Sequence, residues 1–570
     1  MTEFEIPAGL EELDLTPPEE WRSQHLRYKL WPHELWPPLL RPCRVSVLIV
    51  TDSGGSFGTS SFGLKALIDA LKIPPGPWVR FEITTANRRT DPTADVQGFT
   101  FDGANLGDYD EIWLFGVERS FSSPLSEQEL RALSEFMDGG GGVFATGDHE
   151  DLGVAMCGSV PRVRSMRKWH WPNPGPNGEP VAPPVGGPDR LDTLREGPSS
   201  GFDFDDQSDV VPQNISPRMY PGWSFPWKYL WRFHPHPLLC GPHGVIRVLP
   251  DHPHEGECYV PPDLTASFSF DGYTIEEYPA LAGTRLAPEV IATSTIIGGR
   301  ASTDVKGPVT PRSFGAIGAW DGHRVSRGRV VVDATWHHFF NINLVGDAGS
   351  PDPLKQIGFL ASPAGVAAYE EVKSYYRNIA VWLARPQRHV CMRWRALWAC
   401  RWNHRLVMDL RPHYLERGIR ELELHELIRI GDAARDVLGR LASQCQVHIW
   451  FLDITKAMLR RPWPLLEPLV DPWWPFPPEP EPGPDPVPWL HANMLVDAAL
   501  GGALYALGAE FREPSRDFID KADDFDFEGL VRPGVQVAAR EVRRAMERSR
   551  QGGDELARSL GEEGEQGDYS

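Results

Sequence analysis

The chain has 570 residues, 41% of them hydrophobic, which is enough to bury a large core divided over two or three domains. Its 57 Lys and Arg stand against 78 Asp and Glu, a formal net charge of −21, which argues against nucleic acid or an anionic lipid surface as a partner. Seven scattered cysteines without a Cys-x-x-Cys pair fit a reducing, cytoplasmic compartment, and the acidic, Pro-interrupted start "MTEFEIPAGLEELDLTPPEEW" does not read as a secretory signal.

After an N-terminal extension (1–43), "CRVSVLIVTDSGG" gives a nearly continuous apolar run ending in Asp52, Ser53 and Gly54, the pattern of a doubly buried parallel strand entering a loop. Leu64, Leu67, Ile68 and Leu71 then repeat at helical spacing, and "WVRFEITTA" and "YDEIWLFGV" read as the second and third strands. Ser126 and Glu129 have the spacing of a capping box ahead of a helix with Leu130, Leu133, Phe136 and Met137 on one face. Gly139 to Gly142 end that helix, so "GVFAT" is a fourth strand, and Asp148, His149, Glu150 and Asp151 sit just past its carboxyl end. In an open α/β sheet that edge is where ligands bind.

Residues 154–327 are rich in Pro, Gly and aromatics without helical period, and are predicted to be a long irregular insertion, a lid or a subdomain. The sheet pattern returns at "GRVVVDATWHHFFNINL". Ser362 and Pro363 then cap a helix with Val366, Tyr369, Val372, Tyr376 and Ile379 inward, which closes an α/β domain spanning 44–385. A helical region (386–460) follows, then a Pro-rich connector (461–488) read as an extended spacer, a second helical region (489–550) and a solvated acidic tail (551–570). The apolar stretch Trp489–Phe511 is interrupted by His491, Asn493 and Asp497, so it reads as a buried or partner-facing helix and not a membrane span.

This order of elements, with "GGGGVFATGDHE" on one strand end and "GRVVVDATWHH" on a later one, resembles the class I glutamine amidotransferase-like superfamily, closest to its trehalose-utilisation (ThuA-like) branch. The resemblance covers residues 44–150 and 328–384 and implies an open, flavodoxin-like parallel sheet with its site at the carboxyl edge. Amidotransferases carry a Cys nucleophile on the first of these turns and a His followed by Pro and Glu on the second. Here the first reads Gly147-Asp148-His149-Glu150 and the second Trp336-His337-His338-Phe339, so His337 matches the family His while the Cys and Glu are missing. Cys-dependent glutamine hydrolysis is therefore not expected.

The functional reading joins His149 and His337 with Asp148 or Glu150, either as acid–base groups or, with His254 of the "DHPHEGE" loop, as ligands for a divalent metal ion. The competing reading makes Asp148 the N-cap of a helix with Glu150 and Asp151 in its first turn, which leaves His149 unexplained. Asp52 and Ser53 on the first loop, Arg164 and Arg167 after the elbow, and Trp336 beside His337 are candidate substrate-binding residues. Two function classes follow. One is a Cys-less amidotransferase-like enzyme, of hydrolase or lyase type, for a small polar or carbohydrate-derived substrate. The other is a catalytically inactive scaffold that recruits proteins through its helical and Pro-rich C-terminal region.

Overall fold

The run Cys43–Thr51 forms β1 and is buried from both sides: Val45, Val47 and Ile49 face one core, Leu48 and Val50 the other. The computed structural model of the chain describes residues 42–76, 78–119, 123–148, 152–169, 213–222, 232–250, 256–281, 283–296, 312–349, 355–401, 403, 406, 418–441, 443–458, 471–475, 492–510 and 526–565. From β1 the chain runs through α1 (Lys65–Lys72) to β2 (Val79–Asn87), a two-residue β3 (Val96–Gln97) and β4 (Glu111–Phe115). It then passes through α2 (Glu127–Asp138) to β5 (Gly142–Thr146). The expected capping box is present at α2: Ser126 Oγ accepts from Glu129 N at 3.2 Å, and Glu129 Oε2 accepts from Ser126 N at 3.0 Å.

The insertion contributes β6 (Ser216–Pro217), β7 (Glu289–Ile296) and β8 (Arg312–Trp320) before β9 (Val330–Asp333) returns beside β5. The nine strands lie in the order β3-β2-β1-β4-β5-β9-β8-β7-β6. The first six are mutually parallel and the last three antiparallel. The five long parallel strands fall where the sequence predicts them, and the fold is an α/β sheet followed by a helical C-terminal region. What the sequence reading misses is that the insertion widens the same sheet. Long Pro- and Gly-rich flanks conceal β7 and β8, whose residues EVIATSTI and RSFGAIGAW pair with each other along most of their length.

Ser362 caps α3 (Pro363–Leu383), its Oγ accepting from Gly365 N at 3.0 Å. Tyr369, Val372, Tyr376 and Ile379 are buried as expected, but Val366, near the start of the helix, is 42% exposed. Next come α4 (Pro386–Arg401), α5 (Leu424–Leu441), α6 (Gln444–Met458), α7 (Ala492–Glu510) and α8 (Phe527–Glu565). No described helix is long and apolar enough to cross a membrane. In α7 the charge that interrupts the apolar run, Asp497, is buried against Arg435 of α5 at 3.1 Å. Gly502 of α7 and Gly534 of α8 touch backbone to backbone, so a Cβ at Gly534 would lie 1.9 Å from the Gly502 carbonyl oxygen.

Two expectations for the C-terminal region need correction. Part of the Pro-rich connector is docked: Asp471 pairs with Arg324 at 2.7 Å, and Trp473, buried, donates Nε1–H to the Pro235 carbonyl at 3.1 Å. Trp and Asp give this stretch side-chain partners that polyproline composition alone does not imply. Residues 551–565, read as a solvated tail, continue α8. Residues 551–559 are exposed nearly all round, but Glu, Arg, Ala and Leu favour helix without any packing.

The helical region joins the amino edge of the sheet. Trp78, just before β2, meets Trp450 of α6 edge to face at 5.2 Å, and Arg388 of α4 donates to both oxygens of Asp110, just before β4, at 3.0 Å. Arg329, just before β9, pairs with Asp321 at 2.7 Å and donates to the Trp382 carbonyl of α3 at 2.9 Å. Cys43 at the start of β1 is disulfide-bonded to Cys391 of α4, with Cα atoms 5.9 Å apart, while the other five cysteines remain thiols. The expectation of wholly reduced cysteines is thus corrected at one pair, whose partners lie too far apart in sequence for spacing to reveal. Cys391→Ser should lower stability by about 2–4 kcal/mol in denaturant unfolding, and a reductant should lower the native protein to the same level without affecting the variant.

Candidate functional site

The turn after β5 is set by backbone contact. Gly153 has φ +90°, and a Cβ there would lie 2.6 Å from the Gly116 carbonyl oxygen and 2.8 Å from Gly147 Cα. A Cβ on Gly147 would in turn meet the Leu152 carbonyl oxygen at 2.5 Å. The ends of β4 and β5 can approach this closely only where side chains are missing. Asp148 N donates to the Leu152 carbonyl at 3.1 Å, and the next helical turn starts at Val154 with Gly153 as its cap. Asp148 is therefore not a helix N-cap.

Its carboxyl group points instead to the turn after the neighbouring strand β9. Asp148 has no exposed surface, Oδ1 accepts from Thr335 Oγ1 at 2.9 Å, and Oδ2 lies 3.5 Å from His337 Nε2. Thr335 Oγ1 also accepts from His337 N at 3.1 Å, starting the short 3-10 turn Trp336–His338. The opposite ring nitrogen, His337 Nδ1, is 2.9 Å from Asn343 Oδ1. With Nδ1–H given to Asn343, Nε2 is the nitrogen left to exchange a proton with Asp148 or a substrate. The imidazole is 10% exposed, so the pair is shielded but reachable.

Trp336 packs at a tilt against His337, with ring centroids 4.1 Å apart and planes 38° apart, and against Phe340 at 4.8 Å and 39°. Phe62, from the loop after β1, closes edge-on at 5.5 Å and is 45% exposed. Trp336 is 5% exposed, and its buried Nε1–H has no acceptor among the described residues. Such a donor calls for a ligand or water oxygen, because a buried polar group without a partner costs about 1–3 kcal/mol.

His338 turns the other way. Its Nδ1 is 2.7 Å from Asp333 Oδ1, and Tyr375 of α3 donates to Asp333 Oδ2 at 2.8 Å, all three residues being fully buried. This network pins the turn that carries His337 to the helix beneath it. Nothing in the spacing of Asp333 and Tyr375 reveals it, because Tyr375 arrives from another element.

Arg167 has no exposed surface. It donates to the Asp148 carbonyl, and its Nε and Nη2 reach the Ala334 carbonyl at 3.2 and 2.9 Å, so it braces the two loops and does not stand open to an anion. Arg164 lies over the Phe268 ring of the insertion at 4.4 Å. The end of the "DHPHEGE" cluster is built into the same corner: Gly256 N donates to the Ala334 carbonyl at 2.9 Å, and Glu257 pairs with Lys168 at 3.0 Å. His149, Glu150 and His254 lie outside the described residues. Among the described residues no three His, Cys, Asp or Glu side chains form a metal-binding group, so Asp148 and His337 would supply two donors at most.

Asp52 and Ser53 belong to the neighbouring strand ends. The buried Asp52 carboxyl accepts from Val117 N at 2.8 Å and Glu118 N at 3.0 Å, tying the loop after β1 to that after β4. Ser53 N donates to Glu118 Oε1 at 3.1 Å, and Glu118 also takes Arg89 Nε at 3.0 Å. Burial pushes the Asp52 carboxyl up to about 7 against the pull of these backbone bonds. Because the folded value is raised, the stability it contributes is full below about pH 4 and is lost as pH rises toward 7. Carboxyl carbon NMR should place its midpoint near pH 7, and Asp52→Asn should remove that part of the pH dependence of unfolding.

Comparison with protein-family models, with curated proteins and with solved structures finds no match to this chain.

Proposed function

We propose that the chain is a Cys-less, amidotransferase-like enzyme, of the ThuA-like kind, that acts on a small polar or carbohydrate-derived substrate through acid–base chemistry at His337. The observation that carries this reading is the meeting of Asp148 and His337 across 3.5 Å from the carboxyl ends of two adjacent parallel strands. Asn343 orients the ring, Asp148 offsets the charge that develops when Nε2 takes a proton, and the same imidazole can return that proton to a leaving group. The Trp336 Nε1–H suits a substrate oxygen, and the exposed Phe62 ring, held edge-on against the buried Trp336 and Phe340, offers an apolar surface to the C–H side of a sugar-like ring. A thiol route has no support here. Cys157 is fully buried, donates to the Thr146 carbonyl at 3.7 Å, and burial drives its thiol far above the usual range.

A divalent metal at Asp148 and His337 would need further donors from outside the described residues, and the acid–base reading needs none. The scaffold alternative predicts a different outcome from the same variants. His337→Gln and Asp148→Asn should each reduce turnover of a polar-substrate panel, and complementation of a deletion strain, by about 10²–10⁴-fold, with thermal unfolding within a few degrees of the parent. Full complementation by both folded variants would make the protein a binding scaffold.

A further inference from the structure

Cys240 and Cys445 meet where the insertion touches the helical region. Cys240 follows the 3-10 turn Pro237–Leu239 and opens a two-strand hairpin, and Cys445 lies in the first turn of α6. Ser443 Oγ donates to the Pro237 carbonyl at 3.5 Å, and Cys445 shares one buried cluster with Cys240, within reach of a thiol–thiol hydrogen bond. From α3, Asn378 Nδ2 holds the hairpin side by donating to the Leu238 and Cys240 carbonyls at 3.1 and 3.0 Å. Tyr220, Ile449 and Trp473 complete a small apolar cluster around the two sulfurs, which are 7% and 3% exposed by residue. The remaining thiols face backbone instead: Cys157 the Thr146 carbonyl, Cys258 those of Val332 and Ala316, Cys400 that of Ala434.

We propose that Cys240 and Cys445 form a modification site, a dithiol that hydrogen peroxide converts into a disulfide clipping the insertion to the helical region. In the first step one cysteine sulfur attacks a peroxide oxygen. The O–O bond breaks, an S–O bond forms, and the departing oxygen leaves as water with the thiol proton. The second sulfur then attacks the sulfenic sulfur, so that an S–S bond forms, the S–O bond breaks and a second water leaves. Two thiols and one peroxide thus give one disulfide and two waters. Peroxide is small enough for a pair enclosed by Tyr220, Ile449 and Trp473, where a bulky disulfide reagent is excluded. The bond to Cys240, together with burial, holds the Cys445 thiol protonated, so the reaction is slow at neutral pH and faster in alkali. Once formed, the bond closes a second long loop onto the helical region beside that of Cys43–Cys391.

The experiment is peptide mapping of the intact chain after peroxide treatment at pH 7 and pH 9, with alkylation of remaining thiols. The Cys43–Cys391 peptide serves as internal reference. A Cys240–Cys445 linked peptide that forms faster at pH 9, disappears with dithiothreitol and raises the unfolding temperature is the expected result. Cys445→Ser should instead leave Cys240 trapped by a sulfenic-acid reagent. Oxidation of either residue to sulfinic acid without the linked peptide, or linkage of either to Cys157, Cys258 or Cys400, overturns the proposal. The wild-type map alone decides it if the variant does not fold.

Discussion

A carboxyl group with no exposed surface, that of Asp148, is the fixed point of the carboxyl edge. A buried polar group left without partners is costly, so such a carboxyl group persists only where other residues come to meet it. Thr335 and His337 meet it from the next strand, and Arg167 grips the backbone on both sides of the meeting point. Thr335 and His337 come from the turn after β9 and Arg167 from the segment entering the insertion, so these two and the turn after β5 must adopt their shapes together. The glycine contact at Gly116, Gly147 and Gly153 allows this, because it lets the strand ends close until Asp148 is within reach of its partners.

The opposite edge of the sheet obeys another logic. There the charges are bridges between layers: Asp110 to Arg388, Asp321 to Arg329, Asp471 to Arg324. They join the amino ends of the strands to α4, to the hairpin before β9 and to the docked part of the connector. The aromatic contact of Trp78 with Trp450 and the disulfide at Cys43 seal the same seam, and α4 to α8 share one continuous apolar core with the sheet face that carries α1 and α3. Removing the helical region would expose that core, so truncation is not a neutral way of isolating the α/β part.

The sequence made the parallel strands legible because most are short apolar runs and β2 alternates apolar with polar residues, and made α2 legible because Ser126 and Glu129 close their box within one turn. Asp148 and His337 were recognisable as strand-end residues of chemically active type. Their meeting was expected in the functional reading, and it rests on β5 and β9 being neighbours across an intervening segment of nearly two hundred residues. Thr335 and Trp336 Nε1 acquire their roles through the 3-10 turn Trp336–His338, and Asn343 through the helical turn Asn341–Leu344 that follows; neither turn has a sequence signal of its own. Arg167 illustrates the reverse error: basic residues after an elbow look like an anion site until burial shows that carbonyl oxygens have taken the guanidinium. For the strands of the insertion, composition misled because Pro and Gly in the flanks outweigh one β-branched stretch, EVIATSTI, and a Gly- and Ala-containing one, RSFGAIGAW.

The attachment of the helices to the amino edge also sets a distance. β1 has nine residues, which at about 3.3 Å each places the helical seam roughly 30 Å from the loops that follow the strands. A contact made on the helices at that seam is therefore separated by the length of the sheet from the turns that carry Asp148 and His337. The molecule is in this sense mounted from one end, and the loops at the other end can diverge in shape and charge without disturbing the mounting.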